Sequence, residues 1–209
     1  SAIDEKIADA ARAARRDPEE ITRIVVTKFH PADLVRDLHA LGVRDVGENR
    51  QQELSAKQST LSSLDLRWHF IGQGQTNKAA AIRRSADVVH SVDRDRFADA
   101  LHRAADDGDQ LDVLVQINLT DDPGRGGAAP EQAAALAEHI LTLPSLRLRG
   151  VMAVAPLDED PASAFARLRE VAERVRAVEP AASWISAGMT GDFAEAIAAG
   201  ATHLRIGSA

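Results

Sequence analysis

Short apolar segments alternate with amphipathic segments along almost the whole chain. The apolar segments are rich in valine, isoleucine and leucine, which is typical of buried parallel strands. Between them, apolar residues recur with the spacing of one helix face. The pattern predicts eight strands, at residues 21–28, 43–49, 67–72, 88–93, 112–119, 146–154, 183–189 and 201–208. Helices are predicted between the strands, and a further helix is predicted at about 2–16, before the first strand.

Eight strands joined by helices in 209 residues predict a single (β/α)8 (TIM) barrel close to the smallest size of that fold. A doubly wound open sheet is the alternative. We prefer the barrel because no connection is long enough to indicate a reversal in strand order. No linker divides the chain, so residues 1–209 are expected to form one domain. Because the sequence ends just after the eighth strand, the first helix is expected to fill the place of the helix that would follow it.

Composition narrows the classes of function. The formal net charge of −7 argues against a nucleic-acid-binding protein, which normally has a basic face. No segment is apolar over the length of a membrane span, and no secretory leader is evident. The absence of cysteine excludes disulfides, thiol catalysis and cysteine metal sites, and makes the cytoplasm the expected location. No long exposed apolar stripe is evident, so a monomer is expected.

The loops after the last two predicted strands have the composition of a phosphate site. In barrels of this kind, functional groups lie at the carboxyl ends of the strands, and phosphate often binds after strands seven and eight. Here these loops read SAGMTGD (186–192) and RIGSA (205–209), so backbone N–H groups can approach an anion closely. A helix expected from Gly191 would add its positive end. The alternative is a pair of ordinary turns in which Thr190 caps a helix.

Lys28 occupies an unusual position for a lysine of this chain. Only four of the 25 basic residues are lysines, and the other three (Lys6, Lys57 and Lys78) lie in polar, helix-like surroundings. Lys28 instead ends an apolar strand. At a barrel mouth we expect partial desolvation, which disfavours the ammonium form and leaves an amine able to condense with an aldehyde. With a phosphate site expected on the opposite side of the mouth, the ligand would be a phosphorylated aldehyde.

Pyridoxal 5′-phosphate (PLP) is the commonest such ligand. Alternatives are a lysine held in an ion pair with Glu48, and a Schiff-base aldolase acting on a sugar phosphate. Arg205 indicates a PLP protein in which the cofactor is a weak electron sink. Alternation along the last strand points the side chain of Arg205 into the mouth. A guanidinium beside the pyridine nitrogen would keep that nitrogen unprotonated and weaken the ring as an electron sink.

The motifs taken together resemble one family over essentially the whole chain. They are VVTKFHP (25–31), VGENRQQE (46–53), WHFIGQGQTNK (68–78), VLVQINL (113–119), LRGVMAV (148–154), SAGMTGD (186–192) and LRIGSA (204–209). The chain resembles the YggS/PROSC family of pyridoxal phosphate homeostasis proteins. The resemblance implies one alanine-racemase-like barrel (PLP fold type III) without the second domain of true racemases.

The resemblance also implies the residues that contact the cofactor. Lys28 matches the lysine that holds PLP as a covalent aldimine, the Schiff base. The other matches are Ser186, Gly188, Met189 and Thr190 in the first phosphate loop, Gly207 and Ser208 in the second, Arg205 at the pyridine nitrogen, and Asn49 and His69 lining the pocket. The chain departs from the family pattern at Phe29–His30, at Gly74 and at Arg125, and the tail that follows the last motif in the family is missing.

The absence of tyrosine indicates a binding protein rather than an enzyme. A PLP racemase uses two acid–base groups, typically the lysine and a tyrosine, and this chain has no tyrosine. We therefore expect a protein of PLP and vitamin B6 homeostasis that carries or delivers PLP, contacts PLP-dependent apoenzymes transiently and has no catalytic residues and no metal site. The alternatives are a fold-type III racemase or decarboxylase, with His69 or water as second base, and a phosphosugar-binding barrel without PLP.

Overall fold

Eight parallel strands close into a barrel in chain order. The computed structural model describes residues 1–207, and in it each strand pairs with the next while β1 also pairs with β8. The strands are β1 Thr22–Val26, β2 Asp45–Glu48, β3 Arg67–Phe70, β4 Val88–Val92, β5 Leu111–Gln116, β6 Leu146–Met152, β7 Trp184–Ser186 and β8 His203–Gly207. The predicted barrel is confirmed, and the doubly wound open sheet is excluded.

Helices surround the barrel and connect its strands. The α-helices are α1 Ala2–Ala13, α2 Ala32–Ala40, α3 Gln51–Thr60, α4 Ala79–Ser85, α5 Asp95–Arg103, α6 Ala133–Leu141, α7 Pro161–Val178 and α8 Phe193–Ala198. Short 3-10 segments lie at Pro18–Glu20, Thr76–Lys78 and Pro130–Gln132. Asp160 caps α7, where its carboxylate accepts from the N–H of Ser163 at 3.2 Å. Among the helices of residues 1–207, none has the length and apolar character needed to cross a membrane.

The core has two parts because successive strand residues face opposite sides of the sheet. Outward-facing residues such as Val46, Phe70 and Val113 pack with the helices in one continuous cluster. A smaller cluster fills part of the barrel interior and consists of Val88, Leu114 and Met152, with Trp184 packed against it. Complete burial of one such side chain contributes about 1.5–3 kcal/mol. The rest of the interior contains polar side chains, which is where chemistry can be placed.

Helix α1 packs against α8, the helix between β7 and β8. The guanidinium of Arg16, shortly after α1, donates from Nη1 to the carbonyl oxygens of Ile197 at 2.8 Å and Ala201 at 2.7 Å. A cation at the carboxyl end of a helix satisfies unpaired carbonyl groups there. The first segment of the chain is thereby fixed next to the helix that precedes β8.

Candidate functional site

Lys28 lies at the mouth of the barrel, two residues after the last residue of β1. The ladder continues one residue beyond the strand, because the N–H of Thr27 donates to the carbonyl of Gly47 at 3.0 Å. Ile24 faces the interior, where its side chain would lie 3.0 Å from a Cβ added to Gly47. Alternation from Ile24 through Val26 therefore places Lys28 above the barrel interior.

The expected desolvation of Lys28 is wrong, and the alternative in which it pairs with Glu48 is excluded. Its side chain is exposed rather than partly desolvated, because the strand ends before it and Lys28 lies in a turn. Glu48 is not its partner, since the ammonium group next to Glu48 belongs to Lys57. Within residues 1–207, Lys28 forms no ion pair and no hydrogen bond. Its amine is thus unengaged at the mouth, where a ligand can reach it.

Helix α3 fixes the turn that follows Lys28. Phe29 adopts a φ of +65°, a backbone conformation that residues other than glycine seldom adopt. Its N–H donates to Oε2 of Glu53 at 3.0 Å, and the guanidinium carbon of Arg50 lies 5.2 Å from the centre of its ring. The ring itself is 70% exposed. The backbone around Lys28 is therefore held from α3 rather than by packing of Phe29.

A buried ion pair supports the same turn from behind. Lys57 donates to the carbonyl oxygen of Thr27 at 2.8 Å and to Oε2 of Glu48 at 2.9 Å, and it lies 3.5 Å from Oε2 of Glu53. Glu48 also accepts from the hydroxyl of Thr27. Burial raises the pKa of Glu48, and the hydrogen bonds from Thr27 and Lys57 partly offset this. The predicted polar, helical surroundings of Lys57 are confirmed, but its side chain is buried, which the sequence does not indicate.

The two glycine-rich loops adjoin Lys28 instead of facing it across the mouth. Closure of the barrel pairs β1 with β8, so that Val26 lies beside Gly207 and Ile24 beside Arg205. The N–H of Gly207 donates to Oγ1 of Thr190 at 3.3 Å, which joins the two loops. The expected position on the opposite side of the mouth is therefore wrong. Ser208, predicted in the second loop, lies outside the described residues.

Two N–H groups in the exposed loop after β7 have no acceptor among residues 1–207. These are the N–H groups of Thr190 and Gly191, and a Cβ on Gly191 would meet nothing within 4 Å. The N–H of Met189 is already bonded to Oδ1 of Asp192 at 2.7 Å. The following helix begins at Phe193, two residues later than predicted, and has only six residues. The candidate anion site would therefore use loop N–H groups and a hydroxyl rather than a helix end.

Gly188 is required for the shape of this loop. Its φ is +103°, and an added Cβ would lie 2.7 Å from Cβ of Ala196. Its carbonyl oxygen accepts from the N–H of Arg205 at 2.9 Å. The two predicted phosphate loops are consequently linked at Gly188 as well as at Thr190.

Arg205 is buried at the base of the mouth. Its Nη1 donates to Oγ of Ser186 at 2.7 Å and its Nη2 to the carbonyl oxygen of Ala153 at 2.9 Å. Burial lowers the pKa of Arg205 to about 10, although Asp192 opposes this, so the guanidinium is still a cation at neutral pH. Its other N–H bonds have no acceptor among residues 1–207. Because Oγ of Ser186 is bonded inside the barrel, the prediction that Ser186 helps to hold a phosphate is not favoured.

Asn49 and His69 differ in how well they suit the predicted pocket. Oδ1 of Asn49 is buried and has no hydrogen-bond partner in the described residues, as expected for an atom that meets a ligand. The backbone of Asn49 is held against Gly72, since a Cβ there would lie 1.8 Å from the Asn49 carbonyl oxygen. His69 is completely buried inside the barrel, and both ring nitrogens bond to protein groups. This disfavours its predicted contact with a cofactor and a role as second base.

The residues at this mouth fit PLP. An unengaged amine is available for the aldehyde, free loop N–H groups and a threonine hydroxyl for the phosphate, and a buried guanidinium for the ring nitrogen. The buried Oδ1 of Asn49, which has no hydrogen-bond partner among residues 1–207, is a further polar group that could accept from a ligand. Sequence reasoning missed Glu53 and Lys57, although their spacing of four residues places them on one helix face.

Comparison with known proteins gives a consistent result. The profile of the family described as "Alanine racemase, N-terminal domain" matches residues 1–209. The chain is 44% identical over 208 residues to a protein of Pseudomonas aeruginosa named pyridoxal phosphate homeostasis protein, covering 98% of this chain and 89% of that one. A protein of the same name from Mycobacterium bovis is 39% identical over 229 residues, covering 100% and 89% of the two chains.

Solved structures show the same similarity. PipY of Synechococcus elongatus, determined with PLP bound, superposes with a TM-score of 0.85 at 35% identity and covers 97% of this chain and 98% of its own. Alanine racemase of Corynebacterium glutamicum superposes with a TM-score of 0.71 at 13% identity, covering 97% of this chain and 59% of the racemase. The racemase therefore shares the fold of the barrel with this chain.

Proposed function

Because the chain belongs to the alanine racemase N-terminal domain family, and within it to the pyridoxal phosphate homeostasis proteins, we propose that it binds PLP through Lys28 and takes part in PLP homeostasis. The observation that carries the proposal is the position of Lys28 beside the two joined glycine-rich loops, on the adjacent strands β1 and β8. An amine that forms a Schiff base and a site for the phosphate of the same ligand have to lie next to each other in this way.

The other groups at the mouth have distinct roles in the proposed complex. The hydroxyl of Thr190 and the free N–H groups of Thr190 and Gly191 hold the phosphate. Arg205 lies below, where its guanidinium meets the pyridine nitrogen. Met189, exposed at the rim, and Gly207 complete the loops, and Asn49 contributes its free Oδ1 to the ligand. When bound, PLP supplies an aldehyde that attaches reversibly to an amine and a ring that accepts electrons.

Delivery of the cofactor, rather than turnover of a substrate, suits this mouth best. The chain has no tyrosine that could act as the second acid–base group, and both nitrogens of His69 are bonded within the barrel. Lys28 is open to water, which hydrolyses a Schiff base and so permits release. We place the protein in the cytoplasm as a monomer that meets PLP-dependent apoenzymes transiently. The relatives in the comparison carry homeostasis names, which supports this.

Reduction of the PLP complex with borohydride, followed by peptide mapping, tests the attachment. The pyridoxyl group is expected on the peptide that contains Lys28, and a visible absorption band of the unreduced complex is expected to vanish in Lys28→Ala. Lys78→Ala, which alters a lysine at the start of α4, is the matched control and should keep the band. Attachment at another lysine, or an unchanged band in Lys28→Ala, would contradict the proposal.

Proton exchange in deuterium oxide tests whether the protein turns over amino acids. The PLP form is incubated with a panel of amino acids, and loss of the α-proton is followed by NMR. Exchange close to the rate of buffer containing free PLP is expected. Exchange at enzyme-like rates would replace the carrier proposal with a fold-type III racemase or decarboxylase.

A further inference from the structure

A chain of hydrogen bonds crosses the barrel interior from the base of the mouth to the opposite end. Its members come from five strands and, apart from the last, are buried. The links are Arg205 Nη1 to Ser186 Oγ at 2.7 Å, Ser186 Oγ to His90 Nδ1 at 2.9 Å, His90 Nε2 to His69 Nδ1 at 2.8 Å, and His69 Nε2 to Asp45 Oδ1 at 2.8 Å. Asp45 is the first residue of β2, so the chain ends at the amino-terminal end of the barrel.

The groups at the two ends give this chain a single direction. A guanidinium only donates, and an ionised carboxylate only accepts. Burial raises the pKa of Asp45, but the hydrogen bond from His69 and the nearby cation Arg67 help to outweigh this and hold the pKa below its ordinary value, so Asp45 is ionised at neutral pH. Burial keeps the pKa of His90 well below its usual range, and His90 is therefore neutral.

The direction follows link by link from Asp45. His69 donates from Nε2 to the carboxylate, and in the tautomer that carries its proton on Nε2 the Nδ1 atom accepts. His90 then donates from Nε2 and accepts at Nδ1, and the hydroxyl of Ser186 donates to that nitrogen. Oγ of Ser186 presents only lone pairs to Arg205. Every bonding proton of this hydrogen-bond chain points away from the guanidinium.

We propose that Asp45, His69 and His90 are positioning residues that hold the guanidinium of Arg205 towards the pyridine nitrogen of PLP by fixing the orientation of the Ser186 hydroxyl. This inference rests on the proposed binding of PLP at Lys28. If the direction were reversed, His90 would donate to Oγ of Ser186. The hydroxyl of Ser186 would then have to donate elsewhere, and it would compete with Arg205 for acceptors at the base of the mouth.

The surroundings support a role for the chain beyond packing. Buried polar groups are tolerated only when they are hydrogen-bonded. Another part of the same barrel interior is filled by the apolar side chains of Val88, Leu114 and Met152, so polar residues are not needed there for packing alone.

Three charged or titratable groups lie near this hydrogen-bond chain. Nη1 of Arg67 is 3.9 Å from Asp45, and the ring centre of His203 is 6.4 Å from that of His69. The charge of Asp192 raises the pKa of Arg205. These groups lie beside the chain rather than within it, so the four links can transmit a change at Asp45 to Arg205.

The direction of the chain can be measured without PLP. Nitrogen-15 NMR of the imidazoles in the ligand-free protein is expected to show one tautomer, protonated at Nε2, for both His69 and His90. In Asp45→Asn the side-chain amide can donate as well as accept, so both tautomers of His90 are expected. Asp112→Asn is the matched control, because Asp112 also lies near the start of its strand and its side chain is 18% exposed, as is that of Asp45. An unchanged His90 in Asp45→Asn would overturn the proposal.

The effect on the cofactor is measured with PLP labelled with nitrogen-15 in its ring. Asp45→Leu and His90→Phe are expected to shift the ring signal and to raise the dissociation constant of PLP about threefold to tenfold, as expected for coupling through a bonded network. Asp112→Leu should change neither value. Where Asp45→Leu fails to fold, Asp45→Asn gives the same comparison with its shape retained. An unaltered ring signal in the folded variants would overturn the positioning role.

The two proposals fail in distinguishable ways. If PLP does not bind at the mouth, its ring signal stays at the position of free PLP, while the histidine tautomers in the ligand-free protein still show whether Asp45 sets their direction. If PLP is attached but the tautomers and the ring signal do not respond to Asp45, binding stands and the positioning role is wrong.

Discussion

The ammonium group of Lys57 lies 2.9 Å from a carboxylate oxygen of Glu48, in a fully enclosed position directly behind the turn that carries Lys28. Lys57 also donates to the backbone of that turn at Thr27. The exposed lysine at the mouth thus depends on a buried lysine for the geometry of its backbone. This dependence makes Lys57 a good position at which to separate folding from ligand attachment.

Replacement of Lys57 by methionine is expected to destabilise the protein strongly. Removal of one partner of a buried ion pair leaves the other charge uncompensated, which lowers the free energy of unfolding by about 3–5 kcal/mol. Urea denaturation measures the loss, and the double variant Lys57→Met/Glu48→Gln should recover most of it. Lys78→Met, at the edge of α4, is the control, with a change within about 0.5 kcal/mol. Equal losses in the single and double variants would contradict the ion-pair argument.

Stability should depend on pH through the buried histidines. Burial lowers the pKa of His203 to about 3 and that of His90 well below its usual range, whereas both titrate near 6.5 when unfolded. Between these values the unfolded state binds more protons, so this contribution is complete above about pH 6.5 and is lost as the pH falls towards 3.

Each of these histidines is expected to add about 1.4 kcal/mol per pH unit to the slope of stability against pH in that window. His203→Asn should reduce the slope by about this amount between pH 4 and 6, as measured by urea denaturation at each pH. The carboxylates contribute equally to both proteins and cancel in the comparison. The same slope in wild type and variant would show that His203 is protonated in the folded state.

Gly72 is expected to tolerate no side chain. A Cβ there would lie 1.8 Å from the carbonyl oxygen of Asn49, so Gly72→Ala must displace the loop that carries the free Oδ1. Overpacking of this kind lowers stability by about 1–3 kcal/mol, and the affinity for PLP should fall as well. Gly191→Ala is the control for stability, because its Cβ would meet nothing within 4 Å. A Gly72→Ala protein as stable as the control would contradict the close contact.

Thr190 is expected to distinguish PLP from pyridoxal. Its oxygen accepts from Gly207, which leaves the hydroxyl proton free for a phosphate. Thr190→Val should weaken the binding of PLP about tenfold, the value of one hydrogen bond to a charged group, and leave the affinity for pyridoxal unchanged. Fluorescence titration with both ligands measures this. Thr142→Val, whose hydroxyl donates to the carbonyl of His139 at the end of α6, is the control. Equal weakening for both ligands would remove Thr190 from the phosphate site.

The sequence predicts the barrel well because its signal is local. Each strand is a short apolar segment with a helix after it, and the order of such units determines the fold. The strand ends are less accurate. The first strand was expected to include Lys28, yet its ladder ends at Val26 with one further bond at Thr27. Alternation continues in the residues of the mouth after pairing has stopped, so pattern alone overestimates strand length.

The site was predictable only where one residue is informative by itself. Lys28, Thr190 and Arg205 stand out by residue type and position. The buried environment of Lys57 cannot be recognised in this way, because a glutamate and a lysine four residues apart on a helix usually form a pair at the surface. The bonds of Asp45 and His69 depend on the stagger between neighbouring strands, which the pattern of one strand does not contain. The adjacency of β1 and β8 follows from closure of the ring.

That closure also determines when the site can exist during synthesis. The ladder between β1 and β8 joins residues from the two ends of the sequence, and the groups proposed to hold PLP lie on both sides of it. Contacts between such distant residues form late in folding, and domains emerge from the ribosome amino terminus first. A nascent chain that lacks β8 has Lys28 but neither Arg205 nor Gly207. PLP could therefore be loaded only onto completed chains. Bound PLP would in turn stabilise the pairing of β1 with β8, which forms its site.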